Sequence, residues 1–184
     1  MSCHPEIVGI CLQLRPEQAT LVPERRQELT TEGGLDVLGF FDRIRDVTQK
    51  LKARGIWVSH FVEPDGQQIR RCADAGANAV ELHTGRYAQA FLAGENVAAQ
   101  LERLADAARY ARSLGLAVYA GHGLTLQNVA AVAQLEYVTE LNIGHGLVSH
   151  ALFVGLAHAI EDFLRGMHKT HSAEHAVLPA LSVR

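Results

Sequence analysis

Residues 77–124, ANAVELHTGRYAQAFLAGENVAAQLERLADAARYARSLGLAVYAGHGL, decide the architecture. Ala79–Leu82 is a short apolar run, too brief for a helix, and reads as a buried strand. A loop carrying Gly85 and Gly94 follows. Asn96–Leu114 then repeats apolar residues at helical spacing and stops at Gly115, the residue type suited to the left-handed position past a helix end. Leu116–Ala120 is a second apolar strand. Two strands joined through a helix point the same way, because a parallel pair needs a long crossover between its members.

The same cycle extends in both directions. Upstream lie a helix at His4–Leu14 ended by Pro16, a strand at Ala19–Val22 stopped by Pro23, and a polar loop at Glu24–Gly34. An amphipathic helix at Leu35–Arg54 closed by Gly55, a strand at Ile56–Val62, and a helix from Pro64 to Ala75 closed by Gly76 come next. Downstream, Leu124–Leu135 is mostly helical, Tyr137–Ile143 is a strand and Leu147–Arg165 is a last helix. The tail, 167–184, reads as loose. Five short apolar strands alternating with helices predict an α/β domain with a parallel sheet covered on both faces. Neither G-x-G-x-x-G nor G-x-x-x-x-G-K-[ST] follows the first strand, which weighs against an open nucleotide-binding sheet. A complete (β/α)8 barrel takes roughly 200 residues or more. The expectation is therefore a single domain over residues 1–184, an incomplete (β/α)8 TIM-barrel with five parallel strands and about three absent.

Bulk properties narrow the function. Apolar residues at 48% and charged residues at 20% suit a domain with a real core. A net charge of −3 without a basic block argues against nucleic acid as a partner. No apolar run of about 18 residues argues for a membrane span. Met1–Glu6 carries neither a basic nor a long apolar segment, so no secretory leader is expected. Cys3, Cys11 and Cys72 are odd in number and form no C-x-x-C pair, which predicts reduced thiols in a cytoplasm.

Polar and glycine residues gather where strands end. Val22-Pro23-Glu24 and Thr30-Thr31-Glu32-Gly33-Gly34 follow the first strand. Glu81-Leu82-His83-Thr84-Gly85, Ala120-Gly121-His122-Gly123 and Asn142-Ile143-Gly144-His145-Gly146 end the third, fourth and fifth. In parallel α/β folds these ends share one rim, where active sites lie. Any one such group is an ordinary loop; four on one rim predict a site. Glu81 and His83, two apart, point to one face. His122 between two glycines suits proton transfer close to a ligand. Gly144-His145-Gly146 opens a helix and offers backbone N–H groups to an anion such as phosphate. His60, His150 and His158 read as packing or surface, and His168, His171 and His175 as tail. A metal triad of His83, His122 and His145 is conceivable, but no ligand spacing enforces it, and no metal is expected.

The segment Leu21–Val37 resembles the fourth-strand region of the pyridoxine 5'-phosphate synthase family. Glu81–Gly85 with Tyr87-Ala88, Ala120–Leu124 and Glu140–His145 resemble its sixth-, seventh- and eighth-strand motifs, in order, from about Pro5 to the last helix. The resemblance implies a (β/α)8 barrel with extra helices, assembled as a homo-octamer. It implies condensation of 3-amino-2-oxopropyl phosphate with 1-deoxy-D-xylulose 5-phosphate to pyridoxine 5'-phosphate, phosphate and water, without metal or organic cofactor. By position, His122 is implied as proton donor and Glu81 as transition-state stabiliser. Thr30 is implied to contact the deoxyxylulose phosphate, and Gly123, Gly144 and His145 to hold the aminooxopropyl phosphate.

The sequence also departs from the family. Family members begin with three more strands, which carry an Asn-x-Asp-His motif, a catalytic histidine with nearby arginines, and a catalytic glutamate. None has a counterpart here. Tyr119 stands where asparagine is usual, and Leu126-Gln127-Asn128 replaces an aromatic-His-Asn triplet. The expectation is thus a shortened synthase. The alternative is an inactive partial barrel that only binds phosphate or associates with intact subunits.

Overall fold

Short apolar runs alternating with amphipathic ones fold into one parallel sheet flanked by helices, and the computed structural model describes residues 1–24 and 33–168. Among the described residues the order is α1 (Pro5–Leu14), β1 (Gln18–Leu21), α2 (Phe41–Lys52), β2 (Trp57–Val62), α3 (Gly66–Asp74), β3 (Ala79–His83) and α4 (Gly85–Ala93). There follow α5 (Val97–Ser113), β4 (Ala117–Gly121), α6 (Val129–Ala133), β5 (Val138–Asn142), α7 (His145–Val154) and α8 (Leu156–Met167).

The sheet runs β1-β2-β3-β4-β5 with every neighbouring pair parallel. Sequential order means that each crossover steps one strand in the same direction, whereas a doubly wound sheet reverses at a switch point. The sheet also curls. Gln18 on β1 donates from Nε2 to Glu140 Oε1 on β5 at 3.4 Å, and accepts from the Tyr119 hydroxyl on β4 at 3.4 Å. First and fifth strands thus meet across the concave face, as staves of a TIM-type barrel. On the convex face Leu21, Val58, Val62, Val80, Leu82 and Val118 are buried in one apolar cluster with helical Ile44, Leu51, Ile69, Leu104 and Ala108. Each such side chain stabilises the fold by about 1.5–3 kcal/mol relative to exposure.

Four expectations change. The helix expected over 35–54 begins only at Phe41. Leu35 N–H donates to Phe61 O, which draws residue 35 against β2, and Gln68 Oε1 and Asp36 Oδ1 accept from Val37 and Gly39 N–H. Side-chain acceptors here outcompete the helix for backbone donors. The loop expected after the third strand is largely α4; its glycines punctuate a helix, Gly85 as first residue and Gly94 as C-cap at φ 71°. The helix expected over 124–135 shrinks to Val129–Ala133, because the Asn128 side chain accepts from Thr125 N–H and donates to Gly123 O to make a turn. The single helix expected over 147–165 is two, broken at Gly155, whose φ 83° and ψ 155° no helix accommodates.

Strand ends otherwise move by about one residue. The three cysteines are free and buried. No helix among the described residues is long and apolar enough to cross a membrane. Of the tail assigned to 167–184, residues 169–184 lie outside the described residues.

Candidate active site

Parallel pairing aligns the strand ends. Phe61 is level with Glu81, Glu81 with Tyr119, His83 with Gly121, and Gly121 with Asn142. A cavity of about 640 Å³ opens there, lined by Glu81, His122, Gly123, Gly144 and His145 together with Phe61, Asn142 and Val22. Five of the six residues implicated by the sequence therefore share one hollow; the sixth, Thr30, lies outside the described residues.

Glu81 is buried on β3 and its Oε2 accepts from Asn142 Nδ2 at 2.9 Å. Burial pushes its carboxyl above the ordinary value; the Asn142 hydrogen bond pulls the other way, and Glu140 adds to the rise. Gly121 exists beside it for want of space, since a Cβ there would lie 2.5 Å from Glu81 Oε1 and 2.8 Å from Asn142 O. The cavity thus holds a carboxyl group that gives up its proton reluctantly and is fixed in place.

His122 follows β4 with φ 83°, a left-handed conformation costly for a residue with a Cβ. Thr84 clamps the turn: its N–H donates to Gly121 O at 2.8 Å, and its hydroxyl lies 2.7 Å from Gly121 O and 2.5 Å from His122 O. Partial desolvation, then neighbouring His83, lower the His122 pKa, while Glu63 raises it. Gly123 at φ 75° completes the turn, and a Cβ on it would press to 2.7 Å from Ala88 Cβ. Gly144 is the N-cap of α7, that helix start has no side-chain cap, and Gly144, His145 and Gly146 line the cavity. Gly146 cannot carry a side chain, because a Cβ would meet Leu124 O at 2.4 Å.

Sequence reading passed over Asn142 as a partner of Glu81, and Glu63 altogether. Glu63 directly follows β2, and its Oε1 lies 2.5 Å from His83 Nδ1, both side chains being buried. The signal was present: Val62-Glu63-Pro64-Asp65 is a fifth polar strand end on the same rim. His83, the last residue of β3, points inward and not to solvent. His60 is a packed residue bonded to Thr48, and His150 pairs with Asp162. No group of three or more His, Cys, Asp or Glu among the described residues is arranged to hold a metal ion.

Comparison with known proteins now bears on this geometry. The family model "Pyridoxal phosphate biosynthesis protein PdxJ" matches residues 1–169. A pyridoxine 5'-phosphate synthase of Sulfurihydrogenibium sp. (strain YO3AOP1) is 49% identical over 156 residues, 85% of this chain and 63% of the relative. The synthase of Prochlorococcus marinus (strain MIT 9303) is 51% identical over 165 residues, 90% of this chain and 66% of the relative. That of Caulobacter vibrioides (strain NA1000 / CB15N) is 52% identical over 162 residues, 87% and 64%. The chain thus spans slightly under two thirds of the length of these relatives. A solved structure, the Amycolatopsis orientalis BexX/CysO complex, shares the fold at TM-score 0.55 and 20% identity, over 95% of this chain and 64% of that one. Strand-end motifs, sheet order and a match along nearly the whole described chain agree that the protein belongs to the PdxJ family of pyridoxal phosphate biosynthesis proteins.

Proposed function

We propose that the chain serves pyridoxine 5'-phosphate synthesis, joining 3-amino-2-oxopropyl phosphate to 1-deoxy-D-xylulose 5-phosphate with release of phosphate and water. The observation that carries this reading is the convergence of Glu81, His122, Gly123, Gly144 and His145 on one cavity. The reaction forms an imine, expels phosphate, adds water and closes a ring, so protons move at every stage. His122, with its lowered pKa, is a stronger acid when protonated, and its neutral ring can take the proton back. Glu81, held by Asn142, faces the charge that develops as bonds change. The N–H groups opening α7, with His145 and Gly123, hold a substrate phosphate, and Thr30 is assigned the second one. Holding both substrates in one hollow supplies part of the rate. We assign the protein to the cytoplasm, which suits three free thiols, and to a homo-oligomer, which suits the exposed apolar face of α7 and α8.

The test compares the chain as it stands with a fusion that supplies the three preceding strands of a relative. Product formation from the two phosphorylated substrates is measured for both, and pyridoxine 5'-phosphate binding by calorimetry. Turnover in the fusion, lost at least about 100-fold in His122→Gly, is expected. Glycine relieves the left-handed backbone at residue 122, so this variant should melt at or above the parent temperature, which separates lost chemistry from lost folding. Product binding without turnover in either protein would favour the inactive binding reading. No turnover and no binding would remove both.

A further inference from the structure

We propose that Glu63 and His83 form a buried carboxylate–imidazole pair that positions the His122 ring, without touching substrate; the proposal rests on the reading of His122 as the proton carrier. Several groups pack closely around the His83 imidazole, which on its other side lines the adjoining cavity. Nδ1 lies 2.5 Å from Glu63 Oε1. The Phe61 ring meets the imidazole edge-on with centroids 5.0 Å apart, and the His122 ring lies against it at 4.7 Å. Two glycines approach the ring closely. A Cβ on Gly85 would fall 2.8 Å from His83 Cε1 and Nε2 and 3.4 Å from His122 Cδ2, and one on Gly33 would fall 3.2 Å from His83 Cε1. Gly34 lets its segment press against the backbone of β2, since a Cβ there would be 2.5 Å from Glu63 N. Side chains are omitted so that one ring fits one place.

Glu63 is 3% exposed, and among the described residues its Oε2 has no hydrogen-bond partner. Burying a carboxylate with half its acceptors unused is expensive, and a purely packing role is served better by an apolar residue. The arrangement makes sense if the carboxylate fixes the His83 tautomer with a proton on Nδ1, as second carboxylates do for imidazoles that act or orient elsewhere. His83 in turn limits how far His122 can rotate, at a residue already held in a strained backbone by Thr84. The ionisable groups facing His122 are His83 and Glu81 from β3, Glu63 just past β2 and His145 from α7; Arg86 of α4 lies with His83 in the adjoining cavity.

The experiment is an NMR titration of the histidine rings in the full chain, with His122 assigned by its disappearance in His122→Gly. In the unmodified protein, the His83 Nδ1 resonance should be that of a protonated nitrogen; a bare Nδ1 overturns the proposal without any mutation. His83→Asn keeps an N–H for Glu63 but removes the ring beside His122. The His122 midpoint should then rise by about one pH unit, and turnover in the fusion should fall about tenfold with KM within about twofold. A His122 midpoint unmoved in a folded His83→Asn protein also overturns the proposal. The titration needs no turnover, so failure of the synthase reading, seen as an inactive wild-type fusion, is distinguishable from failure of the pair.

Discussion

At the scale of single residues the molecule tunes its histidines by what it places beside them. His60 is fully buried under α2, and its Nε2 lies 2.8 Å from Thr48 Oγ1. That hydroxyl has one proton, already donated to Ile44 O at 2.7 Å, so His60 must carry its own proton on Nε2. Nδ1 is then a bare acceptor, without a partner among the described residues. Desolvation lowers the His60 pKa from 6.5 to about 3. The unfolded chain takes up this proton below about pH 6.5 while the native state refuses it until about pH 3. Stability contributed by His60 is therefore complete above that window and falls with acidification by at most about 1.4 kcal/mol per pH unit. Glu81 opposes it: a carboxyl whose pKa is raised in the native state favours folding below the ordinary carboxylate value and costs stability as pH rises through the shifted one. Denaturant melts between pH 7 and pH 4 should show a steep loss of stability in the parent and a flatter one in His60→Leu. Equal slopes would show that His60 takes its proton without unfolding.

At the scale of elements, what the sequence announced and what it concealed have different causes. Every strand was legible, because Ala79–Leu82 and its counterparts are short apolar runs with turn residues on both sides. Helix extents were less legible, because distant side chains decide them. Gln68, some 30 residues on, captures the N–H groups of Val37 and Leu38 that would have begun α2, and no local pattern encodes that. His122 and His145 stood out through their glycine neighbours and Glu81 through its spacing from His83, while Glu63 did not, since its importance lies in a contact with His83 from another strand. Glycines carry two opposite meanings here, and they can be told apart by mutation. Gly155 separates α7 from α8 at φ 83° and ψ 155°, a region that side chains avoid, although a Cβ would meet nothing within 4 Å. Gly9 lies inside α1 with equally free space and no left-handed backbone. Gly155→Ala should destabilise the protein by about 1–3 kcal/mol in urea unfolding. Gly9→Ala should stabilise it by up to about 1 kcal/mol, through the helix propensity of alanine. A neutral Gly155→Ala would mean that the break is set by packing and not by the backbone of residue 155.

At the scale of the whole molecule, the two faces of the sheet have different fates. The convex face is sealed by α1 to α5, with its apolar side chains at or near zero exposure. The last two helices are not used that way. No residue of α7 is buried, and α8 buries only Ala159, Phe163 and Gly166. Phe153 is 89% exposed and Leu152 82%, with Val148, Leu156, Ile160 and Leu164 exposed on the same helix pair. Monomeric proteins seldom leave so many large apolar side chains in water, and the occupant we propose for this face is a second copy of the chain. Burying one such side chain is worth about 1.5–3 kcal/mol, so a few of them on each partner outweigh the rotational and translational cost of pairing only when they act together. A single charge in the middle of the patch should then have a disproportionate effect, because it must be desolvated with no partner. Sedimentation of the parent chain should show species larger than one copy at micromolar concentration, and Phe153→Glu should shift the distribution toward the monomer while leaving the far-ultraviolet circular dichroism unchanged. Residue 153 lies near the far end of α7 from the Gly144 N-cap, nine residues along the helix, so the same variant should still bind pyridoxine 5'-phosphate. A parent chain that sediments as a monomer would overturn both this interface and the assignment to a homo-oligomer.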